Sequence, residues 1–509
     1  MAGVTDPGVQ GKQNQDEYFT WVSPDKQSVV VGILDGHGRE LGQLAAQVAR
    51  DSLKGSLASP EALLELSTKP KEVLEAAFEK AHFDIENAFK KTFENSGWKV
   101  ERTKDGYLVK IQTTMPTSAR AQAQSKPTSG PPLPASRAVV RDTPYTPTPI
   151  CIHGGTTATV LIILHGRRIV VSNVGDSTGI ICGFGNDIGK LLPVSKWTKC
   201  EPPIPASSLD IHASQAPLSR APDATASSYL EVSADHSPEC PQEFDRMRKF
   251  RPHPSRRFQP ELSFVYDTLV ASKIGCPPIF DVDESTGACK KTDAGTYYKN
   301  VRSEWAALVA TPPQAGFQDA LAFTRSLGDF HLHSYGVSYV PEIFWLDITH
   351  PVEVKTTNDI NGAETSSTFP SSNAPVIYRD SPLGSPVVTV ETPKMVDNMA
   401  MSPSYYADDD KTSTLSSTSF CQKYSEAAIV SFPIPICVSS DGIWDNWKFE
   451  DVASFLNSPA RIERAVQLKR ADFACTELMA ENLNRARTNF GTSADNMTAI
   501  TIICVPQKF

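Results

Sequence analysis

The stretch SVVVGILDGHG, residues 28–38, reads as a buried strand that stops on a carboxylate. A continuous β-branched and aliphatic run ended by Asp-Gly fits a strand better than a short helix. Late in the chain PICVSSDG (435–442) repeats the form, its apolar run ending at Asp441 and a glycine. Two further aspartates stand at the opposite ends of strands, Asp16 just before EYFTWV (17–22) and Asp495 just before NMTAITIICV (496–505). Asp176 occupies the turn after RIVVSNV (168–174). In an antiparallel sheet the end of one strand lies beside the start of its neighbour, so all five aspartates can share one edge. Like charges gathered there must take up protons or bind cations, and hard divalent ions with oxygen ligands are the usual partners. Mg²⁺ or Mn²⁺ is the expected ion. Each aspartate alone has a blander reading, since Asp-Gly and Asp-Ser after a strand are ordinary turn chemistry. The joint pattern favours the cation, and glycine after Asp35 allows a close approach in which the Gly36 carbonyl could itself be a ligand.

Outward from that strand, Ala45, Val48, Ala49 and Ser52 lie at helical spacing, and Val73, Leu74, Ala77, Phe78, Ala81, Ile85 and Phe89 make a stronger stripe. TATVLIIL (157–164) and RIVVSNV are joined by a short hairpin connection, and TGIIC (178–182) follows as the expected third strand of a meander. A helix around Val466–Leu483 precedes the last strand. Strand groups and helix groups alternate as an α+β sandwich requires. Long Pro/Ser/Thr-rich tracts interrupt this core at about 113–150, 198–226, 252–300 and 351–424. One domain over 1–509 with four insertions is the simplest organisation, and such tracts cannot bury enough apolar surface to offset their ordering entropy, so they are expected to be disordered.

A net charge of −9 argues against nucleic acid as principal partner. Ten cysteines without a C-x-x-C pair fit reduced thiols, hence a cytoplasmic or nuclear location. No integral membrane segment or leader is expected, because no apolar stretch approaches the ~20 residues a span needs.

In chain order the sequence contains NQDEYF (14–19), GILDGHG (32–38), GGTTATV (154–160), NVGDST (173–178), SADHSP (233–238), LAFTRSLGD (321–329), VSSDGIWD (438–445) and ADNMTAI (494–500). Together these resemble the metal-dependent serine/threonine protein phosphatases of type 2C, the PPM family. The resemblance implies a four-layer α-β-β-α sandwich of two antiparallel sheets flanked by helices, with a binuclear centre at one edge. It implies hydrolysis of phosphoserine and phosphothreonine on proteins by a metal-activated water. By analogy Asp35 bridges two Mg²⁺ or Mn²⁺ ions, Asp441 and Asp495 complete one site, and the Gly36 carbonyl and Asp16 serve the other. Asp176 and Asp445 match positions that hold a third, weaker ion in some members. His37 resembles the proposed general acid, although a turn histidine bonded to backbone is its alternative.

Other residues read as structural. Thr156, Thr157 and Thr159 suit a strand, Arg325 and Asp329 a helix end and loop, and Asp235-His236 the cap of a helix carrying Glu243 and Arg246. His331 and His333 read as an exposed loop, with no cysteine or third histidine nearby in sequence to support zinc. The chain departs from the family pattern at Gln15, where many members carry a second acid, and at Arg39, the usual second glycine. The arginine that meets substrate phosphate is missing. Lys12 is the nearest cation, and a lysine cannot form the bidentate fork. A pseudophosphatase that binds phosphoproteins is therefore the alternative function, and the insertions are candidate docking segments for partners.

Overall fold

The computed structural model describes residues 1–104, 106–112, 148–166, 168–183, 198–199, 229–233, 235–250, 263–266, 275–313, 315–347, 349–351, 427–429 and 433–505. The expected insertions at 113–150 and 351–424 fall almost wholly outside these residues, as does that at 198–226 beyond Lys199. Contacts divide the chain into a unit of Met1–Ile348 with Phe432–Phe509, and a second unit, Thr349–Ser431. In the second unit the described residues form one antiparallel pair, Thr349–Pro351 with Ala427–Ile429.

The first unit mixes helices with several antiparallel sheets. A six-stranded sheet runs in the order Thr198–Lys199, Glu342–Asp347, Arg168–Val174, Ala158–Leu164, Val29–Leu34, Glu17–Val22. A five-stranded sheet runs Ala2–Asp6, Met497–Cys504, Ile434–Ser439, Thr178–Cys182, Tyr229–Glu231. In the strand Val29–Leu34, Val30 and Leu34 join the cluster under the helices Gly42–Leu57, Pro60–Thr68 and Pro70–Asn95. Val31 and Ile33, which alternate to the opposite face, are just as fully buried. Both faces of the strand are therefore covered, which is why its sequence is apolar throughout rather than alternating. On the five-stranded sheet, Ile180, Cys437, Met497 and Ala499 pack with Leu478 and Val452 of the helices Asp472–Asn489 and Phe449–Leu456. Among the described residues no helix is long and apolar enough to cross a membrane.

Four expectations need correction. Residues Thr178–Cys182 do not continue a meander from Arg168–Val174: they pair with Ile434–Ser439 in the other sheet. The turn at Gly175–Ser177 thus passes from one sheet to the other, and it carries Asp176 with it. The helix expected at 466–483 is two, Pro459–Leu468 and Asp472–Asn489, broken where Lys469 takes a left-handed φ of 51°. Within the tract at 252–300, Phe280–Val282 and Cys289–Lys291 form a hairpin. Buried Ile279 and Phe280 pack there with Phe244 and Tyr266, so two apolar residues anchor a segment whose average composition is polar. His331 is not in an exposed loop but is 1% exposed.

The helix Pro241–Lys249 fixes the TRSLGD segment through an ion pair. Glu243 Oε1 accepts from Arg325 Nη2 at 2.6 Å, and its carboxylate also receives Arg246 and the Thr324 hydroxyl. Burial would raise the Glu243 carboxyl, but the Arg325 and Arg246 charges outweigh it and hold the group well below the usual range. Glu243→Gln would leave Arg325 buried and undercompensated, and such losses cost about 3–5 kcal/mol. A matching drop in denaturant-derived stability is expected, and a change below about 1 kcal/mol would contradict the structural weight given to this pair.

Candidate functional site

The antiparallel pairing puts the aspartates where the strand ends meet. Glu17 is opposite Leu34, so Asp16 and Asp35 flank one pair, and Ser439 is opposite Ala499, with Asp441 two residues past the one and Asp495 four before the other. Asp35 is within hydrogen-bonding influence of both Asp16 and Asp441, so the two strand pairs converge. Gly36 lies in this crowd: a Cβ there would come within 2.5 Å of the carbonyls of Gln15 and Gly42.

Burial, reinforced by like charge, pushes the Asp16, Asp35 and Asp441 carboxyls up. Asp16 rises to about 6, with the Asp495 charge adding to burial and hydrogen bonds from Ser440 and Thr498 opposing it. Asp35 rises well above its ordinary value through burial and the charges of Asp16, Asp441, Asp495 and Asp176. Asp441 rises to about 7 through burial and the charges of Asp445 and Asp495. Ser440 Oγ donates to Asp16 Oδ2 at 2.8 Å, yet Asp16 Oδ1 and Asp441 Oδ1 are buried without a hydrogen-bond partner. Oxygens left in that state cost free energy unless something positive meets them. All-oxygen donors of this kind suit Mg²⁺ or Mn²⁺.

Beside them lies a second acidic group, Asp176, Asp445 and Asp235, raised to about 6, 7 and 6, in each case chiefly by burial. Asp235 does not cap a helix, because the helix begins later, at Pro241. A lysine enters this group. Lys299 Nζ is 4.0 Å from Asp176 Oδ2, and the charges of Asp176, Asp235, Glu304 and Asp445 overcome the burial that would otherwise lower its pKa. Its loop is tied down by Val301 N–H donating to Asp445 O at 3.2 Å and by Arg302 bonding the Trp444 carbonyl. Sequence reasoning missed Lys299 because it lies in a polar tract with no motif around it.

His37 Nε2 is 2.6 Å from Asp329 Oδ2. Burial would lower the imidazole, but the Asp329 charge and hydrogen bond outweigh it and hold His37 above its usual value. Asp329 takes a left-handed φ of 42°, strain of the kind found where a side chain must be aimed. A Cβ on Gly155 would come within 2.2 Å of Asp329 Oδ2, so that glycine in GGTTATV makes room for the His37 partner. Asp329 thus touches a site residue, which its reading as a loop brace did not foresee.

The departures from the family pattern have plain contacts. Gln15 Nε2 donates to the Gly38 carbonyl at 2.8 Å, bracing the loop. Lys12 Nζ lies 2.6 Å from Asp495 Oδ1 at an exposed rim.

Residues 134–197 match the family model described as Protein phosphatase 2C. No curated protein matches the sequence. Among solved structures the chain is similar to a serine-threonine phosphatase 2C from Toxoplasma gondii, at 12% identity over 99% of this chain and 93% of that one, with a TM-score of 0.42. It is also similar to a serine/threonine phosphatase of S. agalactiae, at 11% identity over 99% and 98%, TM-score 0.36. A third is the PPM Ser-Thr phosphatase MsPP from Mycobacterium smegmatis, in complex with cacodylate, at 12% identity over 98% and 96%, TM-score 0.32. The family-model match spans the turn that carries Asp176, and over those residues the chain is similar to the protein phosphatase 2C family, whose motifs its eight segments resemble in their order.

Proposed function

We propose that the chain hydrolyses phosphoserine and phosphothreonine on proteins, with Asp16, Asp35, Asp441, Asp495 and the Gly36 carbonyl holding two divalent cations, Mg²⁺ or Mn²⁺. The observation that carries this reading is the convergence on Asp35 of carboxylates, two of whose buried oxygens, Asp16 Oδ1 and Asp441 Oδ1, have no hydrogen-bond partner. Two such ions, when bound, supply a water acidified toward neutrality and positive charge for the phosphoryl oxygens. Around them the two antiparallel sheets with their helices are read as a four-layer α-β-β-α sandwich.

His37 is the proton donor to the departing serine or threonine oxygen in this reading. Asp329 holds its pKa above the usual imidazole value and fixes the ring. Lys12, held at the rim on Asp495, is the cation proposed to meet the substrate phosphate, as a point charge rather than a fork. At Asp176 and Asp445 a third ion competes with the Lys299 ammonium, which already supplies positive charge there. The reduced-thiol pattern of the sequence supports a cytoplasmic or nuclear location, and the insertions are proposed docking segments. A second reading, phosphoprotein binding without turnover, is favoured by the two lysines that already neutralise part of the acidic edge.

The test is phosphate release from a phosphothreonine peptide with Mn²⁺ or Mg²⁺ and then with excess chelator. Metal-dependent turnover that chelator abolishes is expected. Folded protein with no turnover across millimolar metal would favour the binding reading. His37→Asn should slow peptide turnover by about 10²–10⁴-fold but spare an aryl phosphate, whose leaving group needs no proton. Asp329→Asn removes the charge that raises His37, so the alkaline limb of the rate profile should move to lower pH. An unmoved limb would remove His37 from the acid's role.

A further inference from the structure

Outside the acidic edge, four side chains from three separate segments meet. Cys151 ends the short strand Ile150–Cys151, opposite Val109, and His153 follows two residues on. His331 precedes the short 3₁₀ turn Leu332–Tyr335, and Asp319 precedes the strand Ala320–Leu321. One donor atom from each of Cys151, His153 and His331 lies within 4.8 Å of the others. His153 Nδ1 at 3.0 Å and His331 Nε2 at 2.6 Å both reach the same oxygen, Asp319 Oδ2, and the two imidazoles meet edge to face at 4.7 Å.

The carboxylate is held for this contact. Asp319 Oδ1 accepts from Ala320 N–H at 2.8 Å, and its own N–H donates to Thr311 Oγ1 at 2.8 Å. Cys151 and His331 are 4% and 1% exposed, whereas the His153 side chain is 41% exposed, which leaves a path in from solvent. Away from the aspartates, the group His236, Glu243 and Glu342 is different in kind. Arg325 already occupies it, 2.6 Å from Glu243 and 3.6 Å from Glu342.

We propose that Cys151, His153 and His331 form a zinc site distinct from the acidic edge, with Asp319 as the carboxylate that orients the two imidazoles. A thiolate and two imidazoles are three of the N/S ligands that Zn²⁺ takes, with water for the fourth position, and the thiol is a poor partner for Mg²⁺ or Mn²⁺. Binding needs the Cys151 thiolate and an unprotonated nitrogen on each imidazole, so the thiol proton and any proton on those ligating nitrogens leave to solvent. The ion would tie down the segment that aims Asp329 at His37. His331 is two residues past Asp329, and the Asp329 N–H donates to the carbonyl of Gly154, next to His153, at 2.9 Å. These four residues are positioning residues, not catalytic ones.

Cobalt reports on such a site by spectrum. Full-length protein stripped of metal and titrated with Co²⁺ should develop a thiolate-to-cobalt charge-transfer band that saturates near one equivalent and is displaced by Zn²⁺. The acidic edge has only oxygen donors and cannot give that band, so Asp441→Asn should leave it intact even if phosphatase activity is lost. His153→Gln, at a half-exposed position that folding tolerates, should weaken cobalt binding by more than about tenfold. Cys151→Ser should abolish the band. Folded wild-type protein that binds no cobalt through sulfur, a band that survives Cys151→Ser, or one indifferent to His153→Gln would each overturn the assignment.

Discussion

Asp441→Asn is expected to reduce phosphate release by at least about 10²-fold at saturating Mn²⁺ while making the metal-free protein more stable. Both effects have one cause. The Asp441 carboxyl is raised to about 7, first by burial and then by the charges of Asp445 and Asp495, so at pH 8 the empty site carries a charge the fold resists. An amide relieves that repulsion, and relief of each kcal/mol raises the melting temperature by about 2–4 °C in domains of moderate size. The same amide cannot offer an anionic ligand. Retained activity in Asp441→Asn would refute its place in the centre. An unchanged or lower melting temperature in chelator would refute the account of why these aspartates sit together.

Acidification is expected to stabilise the metal-free protein, and divalent cation to reverse that preference. Unfolded aspartates titrate near 3.9, whereas Asp16 and Asp176 titrate at about 6 and Asp441 and Asp445 at about 7 in the folded chain. A raised folded value means that folding takes up protons. The contribution is fully present below about 4 and is lost as pH rises through 6 to 7. His37, also raised, acts in the same direction, while Glu243 and Asp329 are lowered and lose their contribution only in stronger acid. In chelator the melting temperature should therefore be higher at pH 5.5 than at pH 8. With millimolar Mn²⁺ the gain over chelator should be larger at pH 8, where fewer protons compete. Equal gains at the two values would show that the cations do not replace these protons.

The acidic edge was legible because strand ends are marked by residue type. An apolar run that stops at Asp-Gly locates a carboxylate within a residue, and antiparallel pairing then brings the ends together. The same reasoning placed Thr178–Cys182 beside the wrong neighbour, since a three-residue turn is compatible with a hairpin or with a passage between sheets. Only the partner strand Ile434–Ser439, distant in sequence, decides between them. Lys299 and the hairpin that precedes it were hidden by average composition, because two buried residues, Ile279 and Phe280, suffice to anchor a tract that otherwise reads as polar. The meeting of His331 with Cys151 and His153 had no local signal at all. Its parts lie far apart in the chain, and spacing rules for metal sites see only ligands that are close in sequence.

The proposed function requires that the acidic edge hold two divalent ions about Asp35. Anomalous diffraction from crystals soaked in Mn²⁺ tests it most directly. Two peaks about 3.5–4 Å apart, with Asp35 between them, Asp16 on one and Asp441 and Asp495 on the other, are the expected result. Well-diffracting crystals in millimolar Mn²⁺ with no peak at this edge would contradict it.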